Sequence, residues 1–172
     1  MKIITTYFEP FGGRITNASK DIVKSLEYEN FELPVGFEKI EEVLNQIFKK
    51  EFDLLILFGE AGKYQDIKVE TVAKNIADGK DNYGIFKKNE EIIKNHHDLK
   101  TKINLNNIDN LSTDCGKYLC NYAYFYSLYY NIKSIFIHIP YIDSKATNGE
   151  INTLEKLVTK VKSIISKIEE GN

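Results

Sequence analysis

Residues Leu54–Phe58 (LLILF) form an unbroken apolar run that ends at Gly59, and this run constrains the fold more than any other feature of the chain. Such a run suits a strand buried on both faces, in a sheet covered by helices on either side. Lys133–Ile139, closed by Pro140, reads as a second strand of this kind, and Lys2–Tyr7 as an opening one. Between and beyond them, apolar residues recur at helical spacing. They are Ile22, Val23 and Leu26 behind Ser19 as N-cap, then Ile40, Val43, Leu44 and Ile47, and finally Leu154, Leu157, Val161, Ile164, Ile165 and Ile168. Ser112 to Asp114 offer N-caps for a further helix through about Tyr130. Strands alternating with helices predict one three-layer α/β/α domain over residues 1–172, with a mostly parallel, mixed sheet. Residues 67–76 read equally well as strand or helix. Residues 86–111, polar and rich in Asn and Lys, read as a hairpin or an irregular excursion.

A chain of 172 residues can bury roughly 70% of its unfolded surface, enough for one core. Its net charge of −2 is spread along the chain, so neither nucleic acid nor an anionic membrane is an expected partner. A small, weakly charged ligand fits better. Tyr122, Tyr124, Tyr126, Tyr129 and Tyr130 have no basic groove beside them, and packing in a core or between copies of the chain accounts for them better than base stacking. The opening apolar run is broken by Thr5, Thr6 and Glu9 and nowhere do 18 apolar residues follow one another, so a cytoplasmic protein is expected. Cys115 and Cys120 lie five apart, which matches neither a redox pair nor a metal spacing, so reduced thiols are expected. His96, His97 and Asp98 are adjacent and point apart, so no metal is expected there. Gly12-Gly13 belongs to no phosphate-binding pattern.

Three residues have the chemistry of a nucleophilic site. Cys120 falls near the start of a helix, whose dipole favours a thiolate over the ordinary pKa of ~8.5. His138 interrupts the apolar strand SIFIHIP near its carboxyl end, on the face opposite Ile135, Ile137 and Ile139. Glu70, inside IKVETVA, would orient an imidazole or hold its charge. Each residue also has a plainer reading: Cys120 as apolar filler, His138 as a structural histidine, Glu70 as a solvated charge.

Several separate segments, in the same order, are similar to those of the type I pyroglutamyl peptidases (pyrrolidone-carboxylate peptidases). They are FEPFGGRITNAS, LPVGFEKIEEVL, GEAG, VETVAKNIAD followed by Asp81-Asn82, GKYLCN and FIHIPY. The resemblance implies a cysteine peptidase that removes an N-terminal pyroglutamyl residue through an acyl-enzyme, with no metal or organic cofactor. Cys120 would be the nucleophile, His138 the base and later the acid, and Glu70 their acidic partner. Phe8 and Phe11 would line the pocket for the pyrrolidone ring, and Asn17 would order the loop or hydrogen-bond the ligand. Partners would be small peptides with a blocked N-terminus, and the enzyme a possible homo-oligomer.

The chain departs from the family pattern at several positions. Glu60 replaces a frequent Gln; its carboxylate would still accept the lactam N–H, and two neighbouring acids, Glu60 and Glu70, would raise one pKa. Lys80 replaces an Arg that supports the oxyanion, without its planar fork. Tyr7 and Ala18 stand where Gly and Pro are usual, and would reshape the pocket loop. These departures keep two alternatives open: a related cysteine amidase for another small cyclic or N-acyl amide, and a non-catalytic relative with a drifted pocket.

Overall fold

In the computed structural model, which describes residues 1–172, β1 (Ile3–Phe8) leads through a glycine loop to α1 (Ala18–Lys24), β2 (Glu29–Leu33), α2 (Phe37–Ile47) and β3 (Leu54–Glu60). Six short strands follow: β4 (Lys68–Glu70), β5 (Val72–Ala73), β6 (Ala77–Lys80), β7 (Phe86–Glu90), β8 (Leu99–Lys100) and β9 (Leu111–Ser112). The chain ends with α3 (Leu119–Tyr129), β10 (Ser134–Ile139) and α4 (Leu154–Gly171). The main sheet has the order β2-β1-β3-β10-β4-β9. Its first four strands are parallel, β4 runs against β10, and β9 follows β4. This is the mostly parallel, mixed sheet that the apolar runs predict.

Side-chain alternation along the central strands divides the core in two. Ile56, Phe58, Ile135, Ile137 and Ile139 pack with α1 and α4, whereas Leu55, Leu57 and Phe136 pack with α2 and α3. Each fully buried Leu, Ile or Phe contributes about 1.5–3 kcal/mol, so helices on both faces hold the sheet, and the site, rigidly.

Two N-caps differ from expectation. The cap of α1 is Asn17, whose Oδ1 accepts the Ser19 N–H (3.0 Å) and hydroxyl (2.7 Å). Helix α3 begins at Leu119, not near Ser112–Asp114, and its N-cap Tyr118 makes no side-chain cap. The polar groups expected to cap it are engaged elsewhere. Ser112 Oγ accepts the Asp114 N–H (3.1 Å), and the Asp114 carboxylate takes Lys74 (2.9 Å), Lys63 (3.5 Å) and the Gly116 N–H (3.3 Å). Cys120 is therefore the second residue of its helix. The helix is largely apolar all round, and it is correspondingly buried over Asn121–Ser127.

Residues 67–76 resolve into β4 and β5, and residues 86–111 into strands paired with earlier ones, β7 with β6, β8 with β5 and β9 with β4. Side-chain amides hold these short pieces to the main body. Asn75 donates to Ile93 O and His96 O and accepts the Ile93 N–H, and its own N–H meets Asp98. Asp81 accepts N–H groups of Phe37, Tyr83 and Ile85. Asn121, fully buried on α3, accepts the Lys74 N–H and donates to Lys74 O and Ile76 O. Asn121→Ala leaves those backbone groups unpaired in the interior and is expected to cost about 2–4 kcal/mol, read from denaturant unfolding; a cost within error of zero would refute this anchoring role.

Candidate active site

The carboxyl ends of β3 and β10 are in register, with His138 beside Gly59, so their side-chain positions share a face. At Gly59 that position is empty, and the sulfur of Cys120 fills it. A Cβ built on Gly59 would lie 2.8 Å from Cys120 Sγ and 2.8 Å from Phe136 Cζ. The first turn of α3 thus lowers the thiol onto bare backbone next to the imidazole. Cys120 is only partly buried, whereas Cys115 is interior.

β4 supplies the third group. Its antiparallel register sets Glu70 opposite Phe136, on the His138 face, and Glu70 Oε1 lies 2.7 Å from His138 Nδ1. Glu70 is fully buried and His138 nearly so. The Tyr124 hydroxyl donates to Glu70 O (2.9 Å), tying α3 to β4. Burial pushes the Glu70 carboxyl up, but hydrogen bonds, first that of His138, outweigh it and hold the carboxyl below its usual range. With the carboxylate as acceptor, Nδ1 carries the proton and Nε2 keeps its lone pair. The bond to Glu70 is the imidazole's only hydrogen bond, so none joins Nε2 to the sulfur in this resting arrangement.

The helix dipole does not lower the Cys120 thiol as expected. Burial, then the negative charge of Glu70, push it up to about 12, against a smaller opposing pull from the residue's own N–H. Position near a helix start was visible in the sequence; the apolar packing that outweighs it was not.

The remaining predicted residues divide. Phe8 is buried under the sheet's α2–α3 side, 6.5 Å from the Phe136 ring, and half-buried Phe11 lies 6.4 Å from the Tyr118 ring. Both stand on the thiol side. Asn17 is engaged as the α1 cap, and its Nδ2 donates to Glu9 O (3.3 Å), so it orders the loop. Glu60 is in register with Ile139, on the face opposite Cys120. Its carboxylate accepts Arg14 Nε (2.9 Å) and the Ala18 N–H (2.7 Å), at a polar cavity of about 260 Å³. Its charge is met by Arg14, not by Glu70. Lys80 has an exposed side chain, and its carbonyl accepts the Tyr118 hydroxyl (2.7 Å). Tyr7 packs into the α1–α4 core beneath Lys24, away from the thiol.

Four residues of this neighbourhood escaped the sequence reading. Gly59 makes room for the sulfur; its signals were a small residue at the end of a buried run and its place at the head of the GEAG segment. Tyr118 joins the Cys120 turn to β6, with its ring over Gly79. Arg14 answers the Glu60 charge and lies 4.1 Å over the Tyr141 ring. Tyr64 touches Glu70.

Known proteins match this chain throughout. A family model described as pyroglutamyl peptidase matches residues 1–170. The chain is 32% identical to the pyrrolidone-carboxylate peptidase of Thermosipho africanus over 201 aligned positions, covering 97% of this chain and 98% of that one. It is also 32% identical to that of Thermococcus kodakarensis, covering 85% and 84%. Among solved structures, the pyrrolidone carboxyl peptidase of Fervidobacterium islandicum superposes with a TM-score of 0.85 at 28% identity, covering 98% of both chains. A variant of the Pyrococcus furiosus enzyme does so at 0.84 and 28%, covering 99% of both. With its fold, its motifs and nearly its whole length accounted for in this way, the chain belongs to the pyroglutamyl peptidase family.

Proposed function

We propose that this protein removes the pyroglutamyl residue from the N-terminus of peptides, with Cys120 as nucleophile, His138 as base and acid, and Glu70 as the group that steadies the imidazole. The observation that carries this reading is the sulfur seated over Gly59, beside an imidazole whose Nδ1 is held by a buried carboxylate at 2.7 Å.

Cys120 Sγ attacks the pyroglutamyl carbonyl carbon while its proton passes to His138 Nε2. A thiol pushed up to about 12 makes transfer during attack, not a preformed ion pair, the accessible route. The leading N–H groups of α3 have no partner within the helix and are available to the oxyanion. The imidazolium, balanced by Glu70, then protonates the leaving amine as the C–N bond breaks. Water, deprotonated by His138, releases pyroglutamate from the thioester.

Phe8 and Phe11, both on the thiol side, suit the wall of an apolar site for the lactam ring, which carries no ammonium to leave unpaired. Lys80 contributes positive charge from the rim. Glu60, neutralised by Arg14 on the opposite face, gives no reason to prefer another amide. Two free thiols suit the reducing cytoplasm, and the exposed rings of Tyr129 and Tyr130 suit self-association. No helix is long and apolar enough to cross a membrane.

Release of a fluorophore from a pyroglutamyl-coumarin amide tests the activity, and absence of turnover would overturn it. Alkylation tests the order of proton transfer. In the free enzyme the iodoacetamide rate at Cys120 is expected to keep rising well past pH 8.5, towards its pKa of about 12. A plateau at or below pH 7 would instead reveal a resting thiolate–imidazolium pair.

A further inference from the structure

Glu70 is fully buried, yet only one of its oxygens is served. Oε2 has no hydrogen-bond partner. Oε1 takes two donors, His138 Nδ1 at 2.7 Å and the Tyr64 hydroxyl at 3.3 Å. Tyr64 follows the glycine turn after β3, half-buried, with its ring 5.6 Å from the imidazole. Its hydroxyl is also 3.4 Å from Ser112 Oγ and 3.0 Å from Asp114 O. Ser112 Oγ already accepts the Asp114 N–H, so its own proton is free to go to the phenol oxygen. A chain of donors then runs from Asp114 N–H through Ser112 and Tyr64 to the carboxylate, each link polarising the next. Lys63 Nζ, 4.8 Å over the Tyr64 ring, holds the phenol in place.

We infer that Tyr64 is a positioning residue: by donating to the same Glu70 oxygen that binds His138, it fixes the carboxylate and weakens its pull on the imidazole proton. This inference rests on the assignment of Cys120, His138 and Glu70 proposed above. A hydrogen bond to an ionised acceptor stabilises the charge and leaves less of it for a second donor. Without the phenol, Glu70 binds the imidazolium more strongly, and the base becomes protonated at a higher pH. The other charged or titratable groups around the ring are Cys120 from α3 and Lys68, its cross-strand partner on β4, with Lys63 and Asp114 beyond Tyr64. Tyr64→Phe removes no charge from this set and keeps the ring beneath Lys63.

The chain has three histidines, so His138 can be followed by NMR, with His96 and His97 as internal references. In Tyr64→Phe its ring protons are expected to titrate about half a unit to one unit higher than in the parent protein. The acid limb of kcat/KM moves to higher pH by the same amount. Ser112→Ala moves both in the same direction, because Ser112 polarises the phenol and itself stabilises the Glu70 charge. A merely structural Tyr64, serving Asp114 O alone, would lower stability and leave the titration where it was. An unmoved or downward shift of His138 in folded Tyr64→Phe, or in Ser112→Ala should the first variant not fold, overturns the inference. Since the NMR titration needs no turnover, it separates this failure from failure of the peptidase reading, which would appear as undiminished turnover by Cys120→Ser.

Discussion

Cys120→Ser is expected to lower fluorophore release from a pyroglutamyl-coumarin amide at least ~100-fold with little change in stability. The exchange keeps the shape of the side chain over Gly59 but substitutes a hydroxyl, a far poorer nucleophile unless it is strongly activated. One resting hydrogen bond, between His138 and Glu70, is the only activation the imidazole has in place. Because the sulfur accepts no structural hydrogen bond, the fold loses nothing essential. Equal turnover by the variant and the parent would remove Cys120 from the reaction, and with it the acyl-enzyme.

Gly59→Ala is expected to be almost as damaging to activity, at least ~50-fold, for a purely spatial reason. A methyl group at residue 59 would stand 2.8 Å from Cys120 Sγ and 2.8 Å from Phe136 Cζ, closer than either can tolerate. The Phe136 ring is fully buried and cannot swing aside, so the thiol is the group that yields and turns away from the imidazole. Such overpacking costs about 1–3 kcal/mol of stability, and a folded protein with a displaced nucleophile should remain. Near-parental turnover by Gly59→Ala would mean that the sulfur reacts from some other position. Thermal unfolding run alongside separates lost activity from lost fold.

Much of the architecture was legible because it is written in long apolar periods. The runs at Leu54–Phe58 and Lys133–Ile139 became β3 and β10, and the C-terminal pattern became α4 with Thr153 as its cap. Capping was less legible. Ser112 and Asp114 have the right chemistry to start a helix, but they spend it on the N–H groups of Asp114 and Gly116 and on Tyr64, Lys63 and Lys74, partners distant in sequence. Residues 86–111 lack a period because their strands are two to five residues long and depend on buried amides such as Asn75 for anchorage.

The site divides in the same way. His138 was visible as a polar residue in an apolar strand, whereas Glu70, on a three-residue strand, was visible only as a carboxylate among apolar neighbours, and the family motif sharpened its role. Gly59 acts through an absence of atoms that matters only once β3 and β10 are in register. The raised Cys120 thiol reflects packing from several elements, which no local window of sequence contains.

Arg14, Ala18 and Glu60 form one linked set: the carboxylate of Glu60 takes the guanidinium on one oxygen and the Ala18 N–H on the other. A proline at residue 18 would have no N–H to give, and a glutamine at residue 60 would have no charge to offer the arginine. These positions therefore depend on one another and have to be exchanged together. Chimaeras that swap the glycine loop between β1 and α1 with that of a relative must carry the far end of β3 with it, or they will inherit an orphaned charge in an otherwise intact fold.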